Sequence, residues 1–227
     1  MRTKVYQIDM SLDKNKVKFA GMDELKKLQN TDVVDPSIYK NVFDAQIEET
    51  EPEELFGLFN TQGHPLYRGH SLSVSDVIVN DNGAFFCDSV GFKKIEFDES
   101  KTQKPDNLMR VVYVEPHKAP YITEIEHTLE AEQKAVGGFI EPVYNDDETC
   151  LIGNEEAKLI GMDGNRRIGD GSSIMAGPFF VCGTTDDDFR GLTDEEVVKY
   201  MDRFAQPEDI SREDVEADIG FTIYSMQ

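Results

Sequence analysis

The chain is predicted to be α+β, built as two small domains that each pair a mixed or antiparallel sheet with one or two packed helices. Two observations in the sequence predict this. Residues 98–107 are polar throughout, hold Pro105, and stand directly before the apolar run at 109–114, so they form a seam between two foldable units. After that seam the expected elements run strand, helix, hairpin, loop, strand, helix, an order that goes with mixed or antiparallel pairing. The length of 227 residues suits two domains of ordinary size. The expected division is a first domain at 1–97, a linker at 98–108 and a second domain at 109–227.

In the first domain, residues 4–10 alternate apolar and polar as a strand does, and 16–19 read as a second strand. Met22, Leu25 and Leu28 recur at helical spacing, with acids early and lysines late, as the helix dipole favours. Residues 39–47 predict another strand, with Val42 and Phe43 facing a core. Thr50 is expected to cap a short helix with Pro52 in its first turn and Glu53 reaching back to the cap. Leu55, Phe56, Leu58 and Phe59 supply the apolar stripe of that helix. Gly63, Pro65 and Gly69 make 60–69 a loop. The β-rich runs 71–79 and 84–88 flank Asn80-Asp-Asn-Gly83, and the Asn-Gly pair predicts a hairpin because both residues tolerate positive φ. Ser71, Ser73 and Ser75 alternate and would line one polar face of a strand. Residues 91–97 close the domain. His64, His70 and Asp76 are of metal-ligand type, yet two histidines without a third His or Cys nearby make a poor metal signal, and no metal is expected.

Leu58-Phe59-Asn60, His64-Pro65, Ser71-Leu-Ser-Val-Ser-Asp76 and Asp88-Ser-Val-Gly-Phe92 together resemble the YodL-like domain, a small module of bacterial conjugative elements and phages. The resemblance implies no chemistry for these positions.

In the second domain, residues 111–114 predict a central strand. Residues 121–136 place Ile122, Ile125, Leu129 and Ala135 or Val136 at helical spacing, with Glu124, Glu126, Glu130 and Glu132 outward, and Gly137-Gly138 ends that helix. Residues 139–144 and 149–152 form a hairpin about the turn 145–148. Residues 154–158 and 161–167 are polar knots in glycine-rich loops. Residues 173–182 are the last clear strand, with Gly177-Pro178 marking a bulge or an edge. Thr193 and Glu196 form a capping box for a helix that turns Val197, Tyr200, Met201 and Phe204 inward, and Ser211 with Asp214 repeats the device.

Val114-Glu-Pro116, Val136-Gly-Gly138, Ile140-Glu141, Asn154-Glu155, Lys158, Asn165-Arg166, Ala176-Gly177, Phe179-Phe180 and Leu192-Thr-Asp194 resemble a domain family of unknown function that accompanies YodL-like modules in mobile elements of Firmicutes. This resemblance, over about 109–207, implies an accessory role in a mobile element, such as countering host defence during DNA transfer.

Charge narrows the choice further. The chain has 23 Lys/Arg against 45 Asp/Glu, a net of −22. The part after the seam holds ten bases and 26 acids, a net of −16, and residues 183–227 alone hold 13 acids and four bases. Such a field repels nucleic acid and anionic membrane and attracts basic protein surfaces or divalent cations. Neither direct nucleic-acid binding nor membrane binding is therefore expected; the expected partner is the basic surface of a nucleic-acid-binding protein. Carboxylates three or four apart on a helix lie about 5–6 Å apart at Cβ. Phosphates recur about every 3.4 Å of rise along a DNA strand, and somewhat further apart because the strand winds. The partner-binding acids are expected to be Asp186, Asp187, Asp188, Asp194, Glu195, Glu196, Asp202, Glu213 and Asp214. A second candidate is a polar loop site of Asn154, Glu155, Asn165 and Arg166. The competing arrangement has Asn154 and Asn165 capping turns while Arg166 pairs with Glu155 or Glu156.

No Walker loop, paired-histidine zincin helix or nucleophile elbow is present, and at 163–170 Arg167 takes the place that a third calcium ligand would need. No cofactor and no catalytic residue are expected. Cys87, Cys150 and Cys182 sit in separate apolar runs, which fits buried thiols in a reducing compartment. The N-terminal residues lack an apolar signal core and no run reaches membrane-spanning length, so a cytoplasmic location is expected. The function expected is inhibition of a host nucleic-acid-targeting defence enzyme, of anti-restriction or anti-CRISPR type, by an acidic surface that mimics DNA. The alternative is an enzyme or a conjugation adaptor that uses the polar loops around Asn154 and Arg166.

Overall fold

The computed structural model describes residues 1–49, 51–105, 107–144, 148–169 and 171–224. It divides into two compact units, Met1–Asp106 and Asn107–Gln227. Both are α+β and antiparallel.

In the first unit β1 (Arg2–Ile8), β2 (Tyr39–Gln46), β3 (Val77–Asn80), β4 (Gly83–Cys87) and β5 (Phe92–Ile95) form one sheet in the order β2-β1-β3-β4-β5. Alternation of side chains along β1 and β2 splits the core between the two sheet faces. On one face Tyr6, Ile8, Tyr39, Val77 and Phe86 pack with Val17 and with Met22 and Leu25 of helix α1 (Met22–Gln29). Val5 and Phe43 face each other across the strands, and Phe43 meets Phe59, which in turn stacks on Tyr67 with ring centroids 4.5 Å apart. Helix α2 (Pro52–Gly57) buries Leu55 and runs on into a wider π-helical turn at Leu58–Gln62, which carries Phe59 into the same cluster.

Several local expectations change in three dimensions. Residues 16–19 form a turn, not a strand, with Lys16 at φ 55 and Phe19 at φ 68. The strand expected at 71–79 begins only at Val77; Ser75 sits at φ 77, so the three serines do not share a strand face. The Asn80–Gly83 hairpin forms. Leu28 is exposed, because an eight-residue helix needs only Met22 and Leu25 to seat it. Thr50, the expected cap of α2, lies outside the described residues; the capping position is Glu51, whose side chain makes no capping bond, and Pro52 opens the helix. Phe56 points outward.

The first half of the stretch expected as a linker is tied to the first unit. Asp98 caps a 3-10 turn at Glu99–Lys101. Glu99 accepts from Lys4 Nζ at 2.7 Å and from Tyr6 Oη, and the Gln103 amide donates to the Tyr39 carbonyl at 2.7 Å.

In the second unit β6 (Leu108–Val114), β7 (Tyr121–Glu126), β8 (Ile140–Tyr144), β9 (Thr149–Asn154) and β12 (Phe179–Thr184) form a sheet in the order β7-β6-β12-β9-β8, with β13 (Phe189–Arg190) added on β12. A separate hairpin joins β10 (Gly164–Ile168) and β11 (Ser173–Ala176). Helix α4 (Asp194–Arg203) packs Val197 and Tyr200, followed by Phe204, onto Val112, Phe179 and Val181 of the sheet. Val215 of helix α5 (Arg212–Tyr224) and Ile210 before it cover Ile174 and Ala176. Gly164 lets this layer close, since a Cβ there would stand 2.6 Å from Ile210.

The expected helix at 121–136 is half strand. Tyr121, Thr123 and Ile125 are buried at a period of two while β7 pairs with β6 along 108–113. The helix α3 (Leu129–Val136) starts only after Thr128, whose Oγ1 accepts from the Ala131 amide at 3.2 Å. Ile122 and Ile125 stand three apart, which fits helical spacing, but in β7 they point to opposite sheet faces, and pairing with a long antiparallel partner decides for the strand. Glu132, expected outward, is buried. Gly137 takes the left-handed cap at φ 75. Residues 173–182 break at Gly177-Pro178 into β11 and β12, which belong to different sheets. Within the expected polar knot at 161–167, residues from Gly164 onward are strand. The expected hairpin turn at 145–148 lies mostly outside the described residues. All three cysteines are buried free thiols. Among the described residues no helix is long and apolar enough to cross a membrane.

Candidate functional site

The nine acids expected to bind a partner fall into two groups. Asp188 lies 3.1 Å from His127 Nε2 and accepts the Phe189 amide; Asp194 pairs with Arg110 at 2.6 Å; Asp214 pairs with Arg167 at 3.3 Å. Glu196 accepts both Nη atoms of Arg190 and the Thr193 amide, and its carboxyl is pulled down to about 2, first by the Arg190 bonds. It completes the capping box of α4. The other five, Asp186, Asp187, Glu195, Asp202 and Glu213, are exposed and carry no ion pair among the described residues.

The bases of the second unit show the reverse pattern. Lys118, Lys158 and Arg212 pair with Glu115, Asp218 and Glu216. With Arg110, Arg167 and Arg190 already paired and Arg166 buried, most cationic heads are neutralised inside the unit. Its charge excess therefore stands on the surface as carboxylates.

In the second candidate, no hydrogen bond or ion pair among the described residues joins Asn154 or Glu155 to Asn165 or Arg166. Asn165 and Arg166 lie side by side on β10, at 0% and 1% exposure. The Asn165 amide donates to the carbonyls of Val114 at 3.0 Å and Gly177 at 2.8 Å, and its Oδ1 accepts from Arg166 Nη1 at 2.9 Å. Arg166 also donates to the carbonyls of Asn165, Lys118 at 2.7 Å and Phe204 at 3.0 Å. These bonds tie the β6–β7 turn, β10 and the C-terminal end of α4 together, with a cation set where the helix dipole favours one. Burial lowers the Arg166 pKa, and Nε finds no partner among the described residues. The expected pairing of Arg166 with Glu155 or Glu156 is not formed: both glutamates face solvent, and Arg166 is bound by carbonyls instead. Asn154 belongs to another knot, where its Oδ1 accepts the Glu156 amide at 2.8 Å. Gly138 is needed beside it, since a Cβ there would fall 2.4 Å from Asn154 Nδ2. Glu155 donates its amide to the Phe139 carbonyl.

In the first unit Asp76 is 1% exposed, and its Oδ2 accepts from Gln7 Nε2 at 2.9 Å and the Ser73 amide at 2.8 Å. Burial pushes its carboxyl up to about 7. Gln7 Nε2 also lies 2.9 Å from the His70 carbonyl and 3.1 Å from Tyr67 Oη. His64 accepts the Leu66 amide at Nδ1, the role of a turn residue. Among the described residues no group of His, Cys, Asp and Glu is arranged to hold a metal. Gln7 and Tyr67 had no signal in the sequence, because a glutamine in an alternating strand reads as solvent-facing.

Comparison with known proteins agrees with this two-part order. Residues 2–97 match the family model of the YodL-like domain, and residues 109–205 match that of a domain of unknown function (DUF3846). No curated protein and no solved structure matches the chain.

Proposed function

We propose that this chain acts by binding protein, and that its second unit inhibits a host nucleic-acid-targeting defence enzyme by occupying that enzyme's basic groove in place of DNA. The observation that carries the reading is the division of charge just described: the bases of the unit are largely consumed by internal pairs, while Asp186, Asp187, Glu195, Asp202 and Glu213 stand free at the surface. Long-range attraction to a cationic groove follows, with association that is fast at low salt and slows as salt screens it. A setting in a mobile element, with a restriction or CRISPR nuclease as the target, belongs to the same proposal. An enzyme built on Asn165 and Arg166 finds less support, because those side chains spend their donors on main-chain carbonyls.

The test is a binding panel of purified restriction and CRISPR nucleases against the full chain, with duplex DNA as competitor. The expected result is a complex that duplex DNA displaces and that weakens steeply between low and physiological salt. Absence of any complex, or a complex indifferent to salt and to DNA, would overturn the reading.

A further inference from the structure

A cleft of about 570 Å³ opens in the first unit, walled by Phe19, Phe56, Leu72, Val74 and Phe92. Two of its aromatics stand open to solvent, Phe19 at 58% and Phe56 at 38% exposure. Concave apolar surface with accessible aromatic walls is the usual form of a recognition site.

The backbone gives an independent reason to read it so. Phe19 sits in the left-handed region at φ 68, which a bulky side chain with a Cβ rarely adopts. Its amide donates to Ser75 Oγ at 2.9 Å. Ser75 is itself left-handed at φ 77 and fully buried, and its carbonyl accepts Tyr39 Oη at 2.8 Å. Ser73, a cleft-wall residue two positions before Ser75, is fixed by the bond from its amide to Asp76. Two strained residues are thus locked together, and the outcome is an aromatic ring held outward where it contributes little to the core. Strain of this kind persists where the surrounding structure over-determines it, and it clusters at binding sites.

The charge around the cleft selects the occupant. Its two charged wall residues are both acids, Glu53 and Asp88, while the cation of Lys18 lies over the Phe19 ring, 5.3 Å from its centroid. Asp88 is spoken for by Lys93 at 2.6 Å and by the Met22 and Ser89 amides, so Glu53 is left to meet a ligand. The adjoining cleft adds Asp23 and Glu24 against Lys27. We infer that the cleft docks a peptide segment of a protein partner whose aliphatic or aromatic anchors are flanked by lysine or arginine. The apolar walls take the anchors, and Glu53 takes the flanking charge. This site is distinct from the acidic surface of the second unit and does not depend on it.

The experiment is selection of a phage-displayed random peptide library on the full chain, followed by titration of one enriched synthetic peptide against variants. Enriched sequences are expected to place Leu, Ile, Phe or Trp beside Lys or Arg. Phe56→Ser is expected to weaken the peptide by about tenfold or more, as loss of an aromatic anchor contact does, and Glu53→Lys to weaken it as well. Phe19→Asn is expected to weaken binding without lowering the melting temperature, since Asn accepts the left-handed conformation; loss of binding with the fold intact separates a docking role from a structural one. The inference falls if no peptide is enriched, if the enriched peptides are acidic or lack apolar anchors, or if neither Phe56→Ser nor Phe19→Asn changes affinity. It also falls if sedimentation shows a dimer that Phe56→Ser dissociates, or if a neutral naphthylamine dye fills the cleft and no peptide competes with it.

Discussion

Arg190 on β13 grips Glu196 at the start of α4 through both of its Nη atoms, at 2.8 and 2.7 Å. The same carboxylate closes the capping box with Thr193, so one glutamate both starts the helix and fastens it to the sheet. Because its carboxyl is lowered from 4.5 to about 2, the stabilisation is present above the unfolded value and is lost as pH falls from about 4.5 toward 2. Glu196→Gln is expected to cost about 1–2 kcal/mol at neutral pH. Urea unfolding at neutral and at strongly acidic pH checks this: the gap between variant and parent should shrink as the medium approaches pH 2.

Asp76 titrates with the opposite sign. Its carboxyl is raised from 3.8 to about 7, so the protonated form suits the folded state, and the first unit loses stability as pH climbs through that window. At about 1.4 kcal/mol per pKa unit the loss is at most about 4 kcal/mol. Asp76→Asn should flatten the dependence of first-unit stability on pH between 4 and 7. A slope unchanged in the variant would assign the effect to another group.

Arg166 is expected to act through the fold. Arg166→Ala removes donors from the carbonyls of Lys118, Asn165 and Phe204 in a fully buried place, at a cost of about 3–5 kcal/mol. Arg166→Lys should recover only part, because one ammonium cannot match the planar fork. Thermal unfolding of both variants gives the order. A variant that keeps its melting temperature yet loses activity would restore the case for a chemical site.

The five free carboxylates are expected to matter for binding and not for folding. Replacing Asp186, Asp187 and Asp202 with Asn, and Glu195 and Glu213 with Gln, should leave the second unit's stability within about 0.5 kcal/mol per position while flattening the salt dependence of partner binding. Titration calorimetry at two salt concentrations reads both affinity and slope. Equal salt slopes for variant and parent would show that these side chains do not meet the partner.

Much of the fold was legible in short-range pattern. The capping box at Thr193 and Glu196, the Asn80–Gly83 hairpin and the left-handed Gly137 each depend on residues a few positions apart, so the chain carries their signal locally. Residues 121–126 point to a helix in sequence because Ile122 and Ile125 stand at helical spacing, and only pairing with 108–113 puts the two on opposite faces of a strand. The candidate site divides along the same line. Composition marked the acids but not which of them Arg110 and Arg167 would neutralise, since those partners lie 84 and 47 positions from Asp194 and Asp214.

The sequence alone determined that the chain would form two α+β units with most of its negative charge after the seam, because size, apolar content, caps and charge are additive along a chain. Tertiary structure decided which carboxylates remain free, that Arg166 is bound by carbonyls, and that Phe19 and Ser75 lock each other into left-handed backbone at the rim of a cleft. Most of those contacts join residues tens of positions apart, and such contacts exist only once burial has brought them together.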